Sequence, residues 1–221
     1  VCDGDNVAIL LTSATVPTRE VRFRYTHIPV AGVTVIPGAD NNLPPDYTIT
    51  DQLVNSTDVA QLVQFVITPY TRNAADDGEK CTGVNDTAYI WVEPTVQVTL
   101  TPKYDTICDG DNVGITITSP SNPTREARFR YVVEKPASVT VTPGGPVNNL
   151  PPSTVLTNQI DNPTDSAQLV RFIITPYTRN PGDDGEKCIG VNDTAYVWVE
   201  PTAGVVVSPE NDTVCDGDNV C

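Results

Sequence analysis

Apolar and polar residues alternate along much of the chain in short runs, the period of two that puts successive side chains on opposite faces of a β-strand. Between residues 96 and 199 these runs fall at 96–100, 113–118, 127–133, 138–142, 154–160, 168–175 and 194–199, predicting seven strands. Turn-forming stretches separate them: Ser-Pro-Ser-Asn-Pro at 119–123, Pro-Gly-Gly-Pro at 143–146, Asn-Leu-Pro-Pro at 149–152 and Pro-Gly-Asp-Asp-Gly at 181–185. Seven short strands in one unit of this size predict an all-β, Ig-like seven-stranded β-sandwich, whose two sheets bury alternate side chains. Trp91 and Trp198, each in the last strand of its unit, are expected to anchor the core or a sheet edge.

The pattern repeats. Residues 1–7 read Val-Cys-Asp-Gly-Asp-Asn-Val, and the motif returns at 107–113 and 214–220, giving periods of 106 and then 107 residues. Residues 17–25 match 123–131, the Asn-Asn-Leu-Pro-Pro at 41–45 returns at 148–152, and the Ile-Thr-Pro-Tyr-Thr-Arg-Asn at 67–73 returns at 174–180. Solenoid units span about 20 to 45 residues, so each repeat here must be a domain with its own core. Cutting at Glu93-Pro94-Thr95 and Glu200-Pro201-Thr202 gives residues 1–94 as a repeat lacking its first strand and 95–201 as a complete repeat. Residues 202–221 then hold the first strand and start of a third. The chain thus reads as a window on a longer array. Its orphan strand at 203–214 is expected to pair with the remaining strands of a following domain, in the same chain or in a neighbouring subunit. Proline restricts Glu93 and Glu200 to extended backbone, so successive domains should run head to tail, advancing roughly 40 Å each.

Composition supports this reading and narrows the partners. Twenty prolines and fourteen glycines among 221 residues suit many turns and strands. A net charge of -15 repels nucleic acid, whose binding rests on Lys and Arg, and makes divalent cations better partners. No apolar run reaches the roughly 18 residues of a membrane span, and no signal segment opens the sequence. None of the six cysteines forms a Cys-x-x-Cys pair. Cys2 lies 79 residues before Cys81 and Cys108 lies 80 before Cys188, which predicts one bridge within each repeat and an oxidising, extracytoplasmic setting. Cys215 is left to pair with Cys221 or with a partner further along.

The starting Cys, the late Thr-Pro-Tyr strand, the Gly-Glu-Lys-Cys-x-Gly turn and the closing Val-Glu-Pro-Thr linker together resemble the PKD-like or Ig-like repeats of giant Bacteroidota-type cell-surface proteins, including gliding-motility adhesins. The resemblance covers both repeats and the tail. The Trp-x-Phe-Gly-Asp-Gly signature of true PKD domains is absent, which places the likeness with the looser PKD-like group. It implies export, display at the cell surface, and adhesion or filament formation by repeats in series, and no enzyme role.

Several residues are candidates for site chemistry. Bridges within each repeat would gather Asp3, Asp5 and Asn6 with Asp76, Asp77 and Glu79, and likewise Asp109, Asp111 and Asn112 with Asp183, Asp184 and Glu186. Carboxylates so crowded either hold a calcium ion or form a solvated acidic loop; both readings stay open, and a complete EF-hand loop is absent. Asp-Thr or Asp-Ser followed by a small or aliphatic residue, at Thr87, Thr106, Ser166, Thr194 and Thr213, resembles the O-glycosylation motif of the same bacterial group, or is ordinary turn chemistry. Sequons at Asn55, Asn85, Asn192 and Asn211 matter only where N-glycosylation machinery exists. Arg22 and Arg24, with Arg128 and Arg130, share one strand face and either grip an anionic sugar or form cross-strand ion pairs. His27 is the single histidine and is not repeated, so no Ser-His or Cys-His catalytic pair can recur. Lys80 and Lys187 lie in hydrophilic turns, unsuited to core isopeptide bonds.

Two functions of different class follow. One is a structural repeat of a secreted surface adhesin or extracellular filament, a disulfide-locked spacer whose partners are neighbouring repeats, copies of itself or surface glycans. The other is a carbohydrate-binding module attached to a secreted enzyme. The stretches that differ most between repeats, 26–36 against 132–142, carry no aromatic cluster, which favours the spacer.

Overall fold

The structure is a computed structural model and describes residues 1–75, 78–183, 185–208 and 210–211. Among them are eighteen strands and no helix. In the first repeat these are β1 (Ile9–Leu10), β2 (Glu20–Ile28), β3 (Val33–Ile36), β4 (Ala39–Leu43), β5 (Thr48–Ile49), β6 (Gln52–Asn55), β7 (Gln61–Arg72) and β8 (Asp86–Val92). The second repeat contains β9 (Thr99–Thr101), β10 (Tyr104–Cys108), β11 (Ile115–Thr118), β12 (Glu126–Glu134), β13 (Thr140–Thr142), β14 (Val147–Leu150), β15 (Thr154–Leu156), β16 (Gln159–Asp161), β17 (Gln168–Arg179) and β18 (Asp193–Glu200). All seven runs of alternation land on strands. The structure adds β10 and β14, and divides the run at 154–160 into β15 and β16 where the chain changes partner strands.

In the second repeat one sheet runs β10-β18-β17-β12-β14, and facing it lie the ribbons β15-β11-β9 and β13-β16. The opening segment is shared between the two layers: β9 pairs antiparallel with β11, and after Pro102 β10 runs parallel to β18. This is an Ig-like β-sandwich. The long strands show why alternation finds it. Along β17, Val170, Phe172 and Ile174 point inward and are fully buried, while Arg171 between them is exposed. Each such side chain contributes roughly 1.5–3 kcal/mol through burial.

The first repeat builds the same sandwich with β4-β2-β7-β8 as one sheet and the ribbons β1-β5 and β3-β6 as the other layer. Each repeat has its own apolar cluster, around Phe23, Leu53 and Phe65 in the first and around Phe129, Ile160 and Phe172 in the second. The first has no counterpart of β9 among the described residues, so the outer edge of β1 is unpaired. Trp91 and Trp198 lie on the outer sheet face, about half exposed, rather than in either core.

A buried polar group beside each core differs instructively between the repeats. Asp51 is buried and accepts the Tyr25 hydroxyl at 2.6 Å and the Gly38 N–H at 2.8 Å. At the equivalent place Asn158 donates to Tyr131 Oη and to the Pro143 carbonyl. An acceptor-only carboxylate needs two donors, whereas the amide supplies its own, so the same pocket is satisfied with opposite polarity. Burial, then the Asp51 carboxylate, push the Tyr25 phenol well above its usual range.

Leu100, from β9, is buried in the second cluster. Leu100→Ala should therefore lower the stability of the second repeat by about 2–5 kcal/mol in urea unfolding, and an unchanged midpoint would exclude β9 from the core.

Candidate functional site

The chemistry of this chain is concentrated where one repeat meets the next. Residues 2–6, Cys-Asp-Gly-Asp-Asn, form a tight turn: the Asp5 N–H donates to the Cys2 carbonyl at 3.1 Å, and the Cys2 N–H donates back to the Asp5 carboxylate at 3.0 Å. Gly4 sits at φ 81° and its equivalent Gly110 at φ 82°, in the left-handed region that favours glycine. The turn is stitched to β6 by Gly4 N–H to the Leu53 carbonyl and Leu53 N–H to the Asp5 carbonyl. Asp3 then clamps three segments, its carboxylate accepting the Asn55 N–H at 2.7 Å and the Thr95 hydroxyl at 2.7 Å. Asp109 repeats this with Asn162 and Thr202. Buried Asn55 and Asn162 complete the clamp, each side-chain amide donating to a carbonyl at the end of the closing strand, Val92 or Val199. The acidic motif is thus a scaffold that fixes the start of a repeat beside its end.

That placement decides the disulfide. Cys2 is bonded to Cys188 of the second repeat, and Cys81 and Cys108 are free and exposed. The expected bridges Cys2 to Cys81 and Cys108 to Cys188 are therefore corrected. The reason is geometric. Cys2 lies beside the end of β8, where the Glu93 N–H donates to the Val1 carbonyl, whereas Cys81 lies in the turn that precedes β8. Seven residues of strand separate those poles by roughly 20 Å, and a disulfide needs its Cα atoms within about 7 Å. Cys215 and Cys221 lie outside the described residues.

Other contacts lock the same junction. Glu93 is 2% exposed, and its carboxylate accepts the Thr124 N–H at 2.9 Å and the Thr124 hydroxyl. Asp58 and Asn122 exchange backbone contacts across the junction, the Asn122 N–H donating to the Asp58 carbonyl at 2.7 Å and the Ala60 N–H to the Asn122 carbonyl at 3.2 Å. Gln97 reaches from the linker to Asp58 on one side and Ser121 on the other. The linker itself is buried at Pro94 and Val96. It passes so close to Gly190 that a Cβ there would stand 1.9 Å from the Val96 carbonyl oxygen.

The remaining candidates are distributed more widely. With Cys2 on Cys188, Asp3 and Asp5 face Lys187 and Ile189 of the next repeat across a cleft of about 300 Å³, instead of joining Glu79. Glu79 pairs with Arg24, and Glu186 with Arg130 at 2.8 Å. Asp183 pairs with Lys187 at 3.1 Å and accepts the Gly185 N–H, and these hydrogen bonds hold its carboxyl below the usual range. Asp111 holds the Cys108 N–H as Asp5 holds that of Cys2. Asn6 and Asn112 make isolated bridges to Gln52 and Gln159. Asp76, Asp77 and Asp184 lie outside the described residues, and among the described ones no group of three His, Cys, Asp or Glu converges for a metal. Glu20 holds Arg22 of its own strand and Arg72 across from it, and Glu126 likewise holds Arg128 and Arg179, so these arginines are engaged in ion pairs, of which those of Arg72 and Arg179 are cross-strand. Thr87, Thr106 and Thr194 each follow an Asp whose carboxylate caps their N–H; Thr106 and Ser166 are exposed, and Thr213 is outside the described residues.

Comparison with known proteins gives little further direction. No family model matches the chain, and no curated protein does. Among solved structures it is similar to domains 4 and 5 of the S-layer protein SbsC, at 9% identity and TM-score 0.29, covering 82% of this chain and 70% of that one. It is also similar to a protein of unknown function from Porphyromonas gingivalis W83, at 11% identity and TM-score 0.27, covering 90% and 97%. Superpositions this loose carry no argument about function.

Glu93→Ala removes charge-assisted hydrogen bonds to Thr124 and should destabilise the joined repeats by about 1.5–3 kcal/mol in denaturant unfolding. Glu200→Ala, at the exposed equivalent, should change stability by less than about 0.5 kcal/mol. Equal effects would show that the junction contacts contribute nothing.

Proposed function

We propose that this chain is a structural repeat segment of a secreted surface adhesin or extracellular filament, a rigid spacer in which each repeat is locked to the next. The observation that carries the proposal is the junction. A disulfide joins residues 186 apart in sequence across two separate cores, and beside it a buried carboxylate, a buried proline linker and paired backbone segments hold the same interface. A binding module needs a site; a spacer needs joints that resist bending. Three stretches that recur between the repeats, the Cys-Asp-Gly-Asp-Asn turn of the first, the Gly-Glu-Lys-Cys turn of the second and the Glu-Pro-Thr linker, meet at the joint. The bridge also supports an oxidising location outside the cytoplasm. Calcium at the acidic turns and glycans on exposed Thr106 and Ser166 belong to the same proposal, as additions that would stiffen and solubilise a surface fibre.

Small-angle scattering at low concentration should give a rod of roughly 80 Å, two repeats of about 40 Å each, with little flexibility. Reduction should leave both repeats folded while broadening the distribution of their relative orientation. A compact particle, or a flexible pair under oxidising conditions, would refute the spacer.

A further inference from the structure

On the outer face of the second repeat's five-stranded sheet stands a row of side chains that the core does not use. Strand register sets it: Tyr104 of β10 is opposite Tyr196 of β18, Tyr196 is opposite Arg171 of β17, and Arg171 is opposite Glu134 of β12. Residues opposite one another on neighbouring strands share a face. Because Ala195, Val197 and Val199 are fully buried, Tyr196 and Trp198 between them point away from the core. The two tyrosine rings stack, their centroids 5.4 Å apart and their planes within 11°. Arg171 and Glu134 form an ion pair at 3.2 Å, each side chain half exposed. Two residues along the strands, Thr106, Trp198 and Leu169 make a second row. Leu169 and Arg171 also line a cleft of about 710 Å³ with Glu134, Lys135 and Pro136.

Tyr104 is 72% exposed and Trp198 46%. Neighbouring repeats do not cover this face. Trp91, the equivalent of Trp198, is 49% exposed with the second repeat joined behind it, and Trp198 keeps its exposure with the first repeat before it and β10 alongside. The exposure thus belongs to the repeat itself and not to the place of either copy in the chain. The first repeat keeps Tyr89 and Trp91 at the aromatic positions but has Gln64 and Ile28 where Arg171 and Glu134 stand, so the charged half of the row is particular to the second.

We infer that this face of the second repeat binds a neutral oligosaccharide, its rings stacked on Trp198 and the Tyr104–Tyr196 pair and its hydroxyls held by Arg171 and Glu134. An aromatic ring receives the C–H face of a sugar, while a guanidinium donates to hydroxyl oxygens and a carboxylate accepts hydroxyl protons. Four strands about 4.8 Å apart give the row a span of about 14 Å, and Tyr196 and Trp198 stand about 7 Å apart along β18, which suits linked sugar rings more than a single one. The charges of Arg171 and Glu134 cancel, and the net charge of -15 around them repels an acidic polysaccharide or a nucleic acid. A protein partner, a second copy included, needs roughly 20–30 residues a side and would bury the ion pair, whereas the apolar part of this face is three aromatic rings and a leucine. The inference goes beyond the spacer reading and does not rest on it, since a stiff spacer can carry such a face along its side.

The test uses the whole chain. Trp91→Phe leaves Trp198 as the single tryptophan, so its fluorescence reports the face directly. Titration of that variant with hexasaccharides of glucose, mannose, galactose and N-acetylglucosamine should give a saturable shift with at least one of them, and a hexasaccharide of galacturonate should give none. In calorimetry with the sugar that binds, Trp198→Ala and Tyr104→Ala, which lie on different strands, should each weaken binding by at least about tenfold. Arg171→Ala combined with Glu134→Ala should weaken it as well, and the melting temperature of each variant should stay unchanged because none of these side chains lies in the core. The absence of a shift with every neutral sugar, binding that survives both aromatic variants, a preference for the acidic sugar, or concentration-dependent dimers that Trp198→Ala disperses would overturn the inference. The rod expected from scattering is unaffected by any of these outcomes, so the spacer reading is judged separately.

Discussion

The second sandwich in this chain depends on a strand that arrives through the joint with the first. The chain leaves β8, crosses Glu93, Pro94 and Thr95, and within a few residues becomes β9 and then β10, one for each layer of the second repeat. Linker, joint and core are thus one continuous piece of structure. This is why the linker is buried at Pro94 and Val96, why Glu93 can afford burial only with Thr124 to receive it, and why Gly190 stands where any side chain would strike backbone. A bend at the joint would pull a strand out of a core.

The disulfide adds a covalent limit to the same motion. It links the turn that opens the first repeat to the turn before the last strand of the second, beside the linker at Pro94 and Thr95. In the chain-entropy picture a loop this long is worth about 5 kcal/mol against the unfolded chain, although here its main effect is on the orientation of two folded units.

Much of this was legible in the sequence. Alternation located the long strands, as in Val170, Phe172 and Ile174 facing in with Arg171 facing out. The period located the repeats, and the Glu-Pro-Thr stretch marked the joint. The bridge was not legible, because a tandem repeat offers every cysteine two partners that differ only by one period. Cys81 and Cys188 have nearly identical surroundings in sequence, and spacing cannot choose between them. The deciding fact is that β10 runs parallel to β18, which carries the opening cysteine to the far pole of its own sandwich. Alternation did not reveal that strand, since Tyr104 to Cys108 show half-buried and exposed positions with no apolar stripe. The same bond decides which carboxylates meet: Asp3 and Asp5 were grouped with Glu79 through a bridge that is not made. Within the acidic turn Asp5 accepts the Cys2 N–H and Asp3 the Asn55 N–H.

Non-reducing proteolytic mapping of the oxidised monomer tests the central claim most directly, since connectivity alone separates a locked joint from independently stapled domains. The account predicts a cross-linked peptide joining Cys2 to Cys188 within one molecule, with Cys81 and Cys108 open to alkylation. Recovery of Cys2 with Cys81, or of Cys108 with Cys188, would contradict it.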